Sequence, residues 1–218
     1  MADIFQQLFP FFLLAFSSLF TLVNPIGLSP TFLSLISDFG EHEKKRITRK
    51  GIITATVVLI IFSLIGNLIF SFFGITLHAF RIAGGILFFK IGLNMLESKV
   101  SRTKSTPKES EEAQSKDEIA YTPIGIPLIA GPGAITSVMI LSSEASTVSM
   151  KIVFFSTIFI VMILTYFIFM TADYMSKRFG TTGLRILQRI MGLILMVIAV
   201  QFVIDGLTPV IKGWIGTI

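Results

Sequence analysis

Two short strings hold the residues best placed to do chemistry. One reads Asn24, Pro25, Ile26, Gly27, followed by Pro30; the other reads Pro127, Leu128, Ile129, Ala130, Gly131, Pro132, Gly133, Ala134. Both sit inside long apolar runs. A helix broken in hydrocarbon bares backbone amides and carbonyls, which are tolerated only where they face protein or water. Proline suits the first position of the resumed helix because its missing donor was an orphan there anyway, and glycine lets a ligand come close to the backbone. The piece starting at Pro25 presents the amides of Ile26, Gly27 and Leu28, and the piece starting at Pro132 those of Gly133, Ala134 and Ile135. Each such end carries roughly +0.5 of a charge, so two of them near the midplane suit an anion, most simply a carboxylate. The carbonyl ends around Leu22 to Asn24 and Ile129 to Gly131 suit an ammonium or a coupling cation, H+ or Na+. A pocket with both kinds of end fits a small zwitterion. Thr21 and Thr136 are the hydroxyls beside the breaks. The competing reading is that the prolines only kink their spans for packing.

Other polar residues lie within apolar runs. Lys90, about 13 Å past Arg81 at the helical rise, forms an i, i+4, i+7 row with Asn94 and Glu97. That row should look into the bundle and offers a counter-charge or a proton step; the alternative is a Lys paired with Glu97 or a backbone carbonyl. Asn67 and Gln201 suit interhelical hydrogen bonds better than ligand contact. His42 and His78 are lone residues with no pattern for metal or catalysis. There is no cysteine, no His-Glu-x-x-His run, no Gly-x-Ser-x-Gly run and no pair of intramembrane aspartates. Enzyme chemistry and metal or cofactor sites are therefore not expected.

The elements that position these residues follow from composition. Of 218 residues 53% are apolar and 14% charged, with mean hydropathy +0.83, which calls for lipid as the solvent and an all-α membrane protein. Six runs are long enough to cross the bilayer: roughly 8–37, 51–73, 76–96, 123–143, 152–173 and 186–208. The first and fourth hold the interruptions. Fourteen of the eighteen Lys and Arg fall in the connections 38–50, 97–122 and 174–189. The positive-inside rule makes those loops cytoplasmic and puts both termini outside. The +5 charge is thereby topogenic and not the mark of a nucleic-acid partner. The polar stretch 97–122 reads as a linker between units 1–96 and 123–218.

Those units resemble each other. Arg81, Gly84 and Glu97 fall on Arg189, Gly192 and Asp205 at a shift of 108, and Pro25, Gly27 and Ser29 on Pro132, Ala134 and Thr136 at a shift of 107. Three spans per half force the second half to enter from the opposite face, a 3+3 inverted-topology repeat. That is the architecture of many secondary transporters, with the site at the repeat interface near interrupted helices.

The two strings resemble the paired signatures of the MarC/SnatA family of six-span inner-membrane proteins, and the similarity runs through the chain apart from 97–122. The resemblance implies transport of small neutral amino acids such as glycine and alanine, in a group allied to LysE-type exporters. On this reading Asn24, Pro25, Ile26 and Gly27 hold one end of the substrate and Gly131, Pro132, Gly133, Ala134 and Thr136 the other. The partners are the zwitterion and the bilayer, in a bacterial or archaeal cytoplasmic membrane. Rival readings are a channel or exporter of another solute on the same breaks, and a scaffold without cargo.

Overall fold

The computed structural model describes residues 2–97 and 116–215. Most of the expected linker 97–122 lies outside the described residues. All described elements are helical: α1 (Ala2–Val23), α2 (Pro25–Ile36), α3 (Glu41–Phe73), α4 (Leu77–Leu96), a short α5 (Lys116–Ile119) running into a π-helical segment (Ala120–Ile129), α6 (Pro132–Glu144), α7 (Val148–Met170) and α8 (Ala172–Ile215). Five stretches are long and apolar enough to cross a membrane: Gln7–Ile36, Glu41–Gly66, Leu77–Leu96, Val148–Met170 and Thr182–Ile215. The π-helical segment with α6, bent by 62°, makes a sixth when the pair is one span.

Helix boundaries follow local chemistry. Thr76 caps α4 by accepting from the Ala79 amide, and Thr147 caps α7 by accepting from Met150, both at 3.2 Å. Gly74 ends α3 at φ 64°, a left-handed position that favours glycine, and its amide closes onto Phe70 and Ser71 carbonyls. Glu41 and Glu43 in the first turn of α3 complement its positive end. This helix begins in the basic connection 38–50 rather than after it. Likewise α8 starts at Ala172, well before 186, and absorbs the connection 174–189 through a kink at Gly180, φ 62° and ψ 179°. The fourth span starts inside the expected linker, with helical structure from Lys116. Hydropathy marks where lipid begins, whereas charged residues propagate a helix well beyond that point.

Hydroxyls inside the spans mostly bond their own helix: Thr157 to the Val153 carbonyl, Thr165 to Val161 and Ser29 to Pro25. Ser142 of α6 crosses to the Ser63 carbonyl of α3 at 2.6 Å. Helix pairs in contact include α1 with α7 and α6, the π-helical segment, α6 and α7 with α3, α2 with α7 and α8, α6 with α4, and α4 with α8. The α4–α8 crossing is close and antiparallel. A Cβ on Gly85 would meet the Ala199 carbonyl at 2.7 Å, one on Gly92 the Gly192 carbonyl at 2.8 Å, and one on Gly206 the His78 carbonyl at 2.9 Å. Small residues bring the backbones together because packing, not water exclusion, drives association in lipid. Phe32 stacks on Phe169 at 4.2 Å in the larger core, and Phe88 meets Phe202 at 5.4 Å in the second, which α4 and α8 build with Leu22 and Ile140.

Candidate functional site

At the first interruption α1 ends at Val23 and α2 resumes at Pro25. The hinge is one residue. Asn24 takes φ 52° and ψ 54°, a left-handed conformation that Asn tolerates better than most residues. Its Oδ1 accepts from the Gly27 amide at 3.2 Å, and its carbonyl accepts from Leu28 at 3.0 Å. Pro25 supplies no amide to satisfy. The break therefore caps itself, and Asn24, expected to face a ligand, is bonded to Gly27 in this conformation. Asn24 and Pro25 are buried; Ile26 and Gly27 are half-buried. A Cβ on Gly27 would strike the Asn24 amide group at 2.5 Å, so the cap has room only because residue 27 is glycine.

The second interruption is larger and built differently. The π-helical segment carries non-helical backbone at Thr122 and Ile126, each followed by a cis proline. Its last turn closes with the Ala130 amide on the Gly125 carbonyl at 3.0 Å. Gly131 then precedes α6 in extended conformation, φ −78° and ψ 169°, and no side chain caps the helix. Glycine at the N-cap has no side-chain oxygen to offer. The Ile135 amide returns to the Gly131 carbonyl at 3.0 Å, while Gly133 and Ala134 are left without a side-chain cap. Both are buried, Ala134 to 1% exposure.

The two interruptions are neighbours. A Cβ on Gly133 would meet Leu22 Cδ2 and Ile91 Cδ1, each at 2.9 Å, so the residue two before Asn24 lies against the start of α6. These apolar tips lie over Gly133 in this conformation. Thr136, half-buried, lies against Gly84 of α4. Pro132 is exposed. Two buried hydroxyls on the broken helices, Ser18 of α1 and Ser137 of α6, have no hydrogen-bond partner. Unpaired hydroxyls in a dry core are costly, and they add polar capacity to the pair of spans that carries both breaks.

The remaining expected polar residues do not join this region. Lys90 is exposed, not turned into the bundle, and forms no ion pair among the described residues. The reason is the small-residue face of α4: Gly84, Gly85, Phe88, Ile91, Gly92 and Met95 are buried against its neighbours, and Lys90, two residues past Phe88, falls on the opposite side. Lys90 is six residues from the end of α4, about 9 Å, which lets its ammonium reach toward the interface. Asn94 is half-buried and Glu97 exposed. The side chain of Asn67 lies outside the described residues. Gln201 is exposed and donates to Asp205 Oδ1 at 2.7 Å.

That last contact belongs to a cluster not expected from the residues. At the end of the bundle away from the basic connections, Arg81 Nη2 donates to Glu144 Oε1 at 2.6 Å, with the two side chains 14% and 17% exposed. Arg81 Nη1 reaches the Asp205 carbonyl at 3.5 Å, and Arg81 Nε and His78 Nδ1 are buried without partners. The pair ties the last residue of α6 to α4. Its signal was an arginine at a span end in want of a counter-charge, but Glu144 closes an apolar run and stands far from Arg81 in sequence. Among the described residues no group of three or more His, Asp or Glu is arranged to hold a metal ion.

Comparison with known proteins agrees on the kind of molecule. A family model described as MarC family integral membrane protein matches residues 9–211. Similar proteins include a UPF0056 membrane protein of Methanocaldococcus jannaschii, 41% identical over 93% of this chain and 89% of the relative. The UPF0056 membrane protein YvbG of Bacillus subtilis is 39% identical over 95% and 100%, and YhcE of Escherichia coli 31% identical over 94% and 95%. No solved structure matches the chain.

Proposed function

The chain belongs to the MarC family of integral membrane proteins, and from that premise we propose that it is a secondary active transporter of small neutral amino acids, of the size of glycine or alanine. The observation that carries this reading is the buried, uncapped N-terminus of α6 beside the first interruption. Gly133 and Ala134 offer amides to a carboxylate, and the aligned peptides of α6 add their dipole to the attraction. The substrate's ammonium lies toward the carbonyl end of α1, around Leu22 to Asn24, while the Gly27 amide stays bonded to Asn24 Oδ1. The tips of Leu22 and Ile91, which crowd Gly133, limit the cargo to a small side chain because they must swing aside to admit it.

The proposal extends to mechanism and topology. Two three-helix halves of opposite entry, 1–96 and 123–218, rock against each other across the α4–α8 crossing. In support, the helix contacts are reciprocal: α1 on α7 answers the π-helical segment on α3, and α2 on α8 answers α6 on α4. The Arg81–Glu144 pair joins α4 of one half to α6 of the other and serves as the closure at one end. By the positive-inside rule that end is external, with both termini outside a bacterial or archaeal cytoplasmic membrane.

Counterflow in proteoliposomes tests the function. Vesicles preloaded with unlabelled alanine accumulate labelled alanine or glycine faster than empty ones if the protein is a carrier. Equal rates, or no uptake of either amino acid, would overturn the reading.

A further inference from the structure

Away from both interruptions, α3 and α7 flank an open groove of about 660 Å³. Its walls are apolar, with Ile53, Val57 and Ile60 on α3 and Phe159, Ile163 and Phe167 on α7. The hydroxyl of Thr56 in the lining is already spent on the Ile52 carbonyl at 2.7 Å. One charge stands in the lining, and it stands at one end: Arg49, exposed and with no ion pair or hydrogen bond among the described residues. Its neighbour Lys50 lies 5.9 Å over the ring of Tyr121. Tyr166 also lines the groove, four residues before the end of α7, an amphipathic ring of the kind membrane proteins place near the interface. From Arg49 to Ile60 is eleven residues, about 17 Å of helix rise, close to half of the ~30 Å hydrocarbon.

A groove that is greasy for one leaflet's depth and ends in a single unpaired guanidinium at the headgroup level matches one kind of molecule in its surroundings. We propose that it holds one anionic phospholipid from the leaflet on the basic side, with the phosphate on Arg49 and an acyl chain between α3 and α7. Guanidinium recognises phosphate through paired donors, and this arginine has its donors to spare. The chain fills a gap that bulk lipid would leave poorly packed. Because α3 and α7 belong to different halves of the sequence, the bound lipid fastens one to the other, a role that stands whether or not the protein carries amino acids.

The test uses the full chain in detergent micelles, with acyl-spin-labelled phosphatidylglycerol as the probe and the immobilised fraction as the readout. The wild-type protein holds about one lipid, and phosphatidylethanolamine competes at least tenfold more weakly. Arg49→Gln weakens phosphatidylglycerol about tenfold, the loss expected for one charge-assisted contact, and Val57→Trp, which fills the groove, removes the immobilised signal. Ile86→Trp, on an exposed face of α4, leaves it unchanged. Equal binding of both lipids, or equal retention by wild type, Arg49→Gln and Val57→Trp, overturns the site. So does a lipid-free dimer in native mass spectra that Val57→Trp dissociates, since a second copy would then be the occupant. A circular-dichroism melt of each variant separates loss of lipid from loss of fold.

Discussion

The two interruptions begin alike, each with an Asn or Gly ahead of proline, and finish differently. At Asn24 the chain turns on one left-handed residue whose own side chain caps the resumed helix, and the run Gln7–Ile36 passes as a single span. At Gly131 a π-helical segment and α6 meet at 62°, with no side chain on the amide end. What separates them is a side-chain oxygen at the N-cap. The first break caps its resumed helix with its own side chain; the second has none to offer its amides. The anchoring differs too, since the far end of α6 is held by Glu144 on Arg81, whereas α2 runs out to the exposed Ser37.

The contrast can be broken or sharpened by substitution. The largest effect is expected from Gly133→Leu, which pushes on Leu22 and Ile91 and covers the amide end. Uptake in proteoliposomes falls more than a hundredfold while the protein elutes as wild type, because the tips it meets are flexible; uptake near the wild-type rate counts against a site at α6. Next is Arg81→Gln. It strands Glu144 in a site where both partners are mostly buried, and a chemical-denaturation series should show a loss of about 3 kcal/mol, against little change for Ser37→Ala at the end of α2. Asn24→Ala loses both the cap and a residue suited to left-handed backbone, together about 2 kcal/mol, and Asn24→Gly recovers more than half of it in the same unfolding assay. Smallest is Gly131→Ser, which gives the second break a cap like the first. It stabilises by about 0.5 kcal/mol and weakens alanine binding, measured calorimetrically; tighter binding in this variant would reverse the assignment.

Much of this was legible from residue types, and the failures share a cause. The break positions read correctly to the residue because proline and glycine act locally, through missing donors and missing side chains. By type, Asn before a proline-led helix suits a ligand and a cap equally, and the Oδ1–Gly27 bond shows that it caps in this conformation. Hydropathy reports the lipid boundary and not the helix end, so it places neither the start of α3 at Glu41 nor the run of α8 through Gly180. By polarity alone the row of Lys90, Asn94 and Glu97 would point inward, since it is the polar stripe of the C-terminal half of α4. Its buried face is set instead by glycines that admit α8 to backbone contact. The Arg81–Glu144 pair depends on α4 meeting α6, a contact that spacing along the chain does not express.

The difference between the two helix starts is most directly read at the amides themselves. Protein labelled with nitrogen-15 at glycine and alanine, titrated with L-alanine in detergent, should show saturable shifts of the Gly133 and Ala134 resonances, with Gly27, held by Asn24, staying still. Methylamine, which lacks a carboxylate, should move neither. Shifts at Gly27 alone, or none at Gly133 and Ala134 at saturating alanine, would contradict the account.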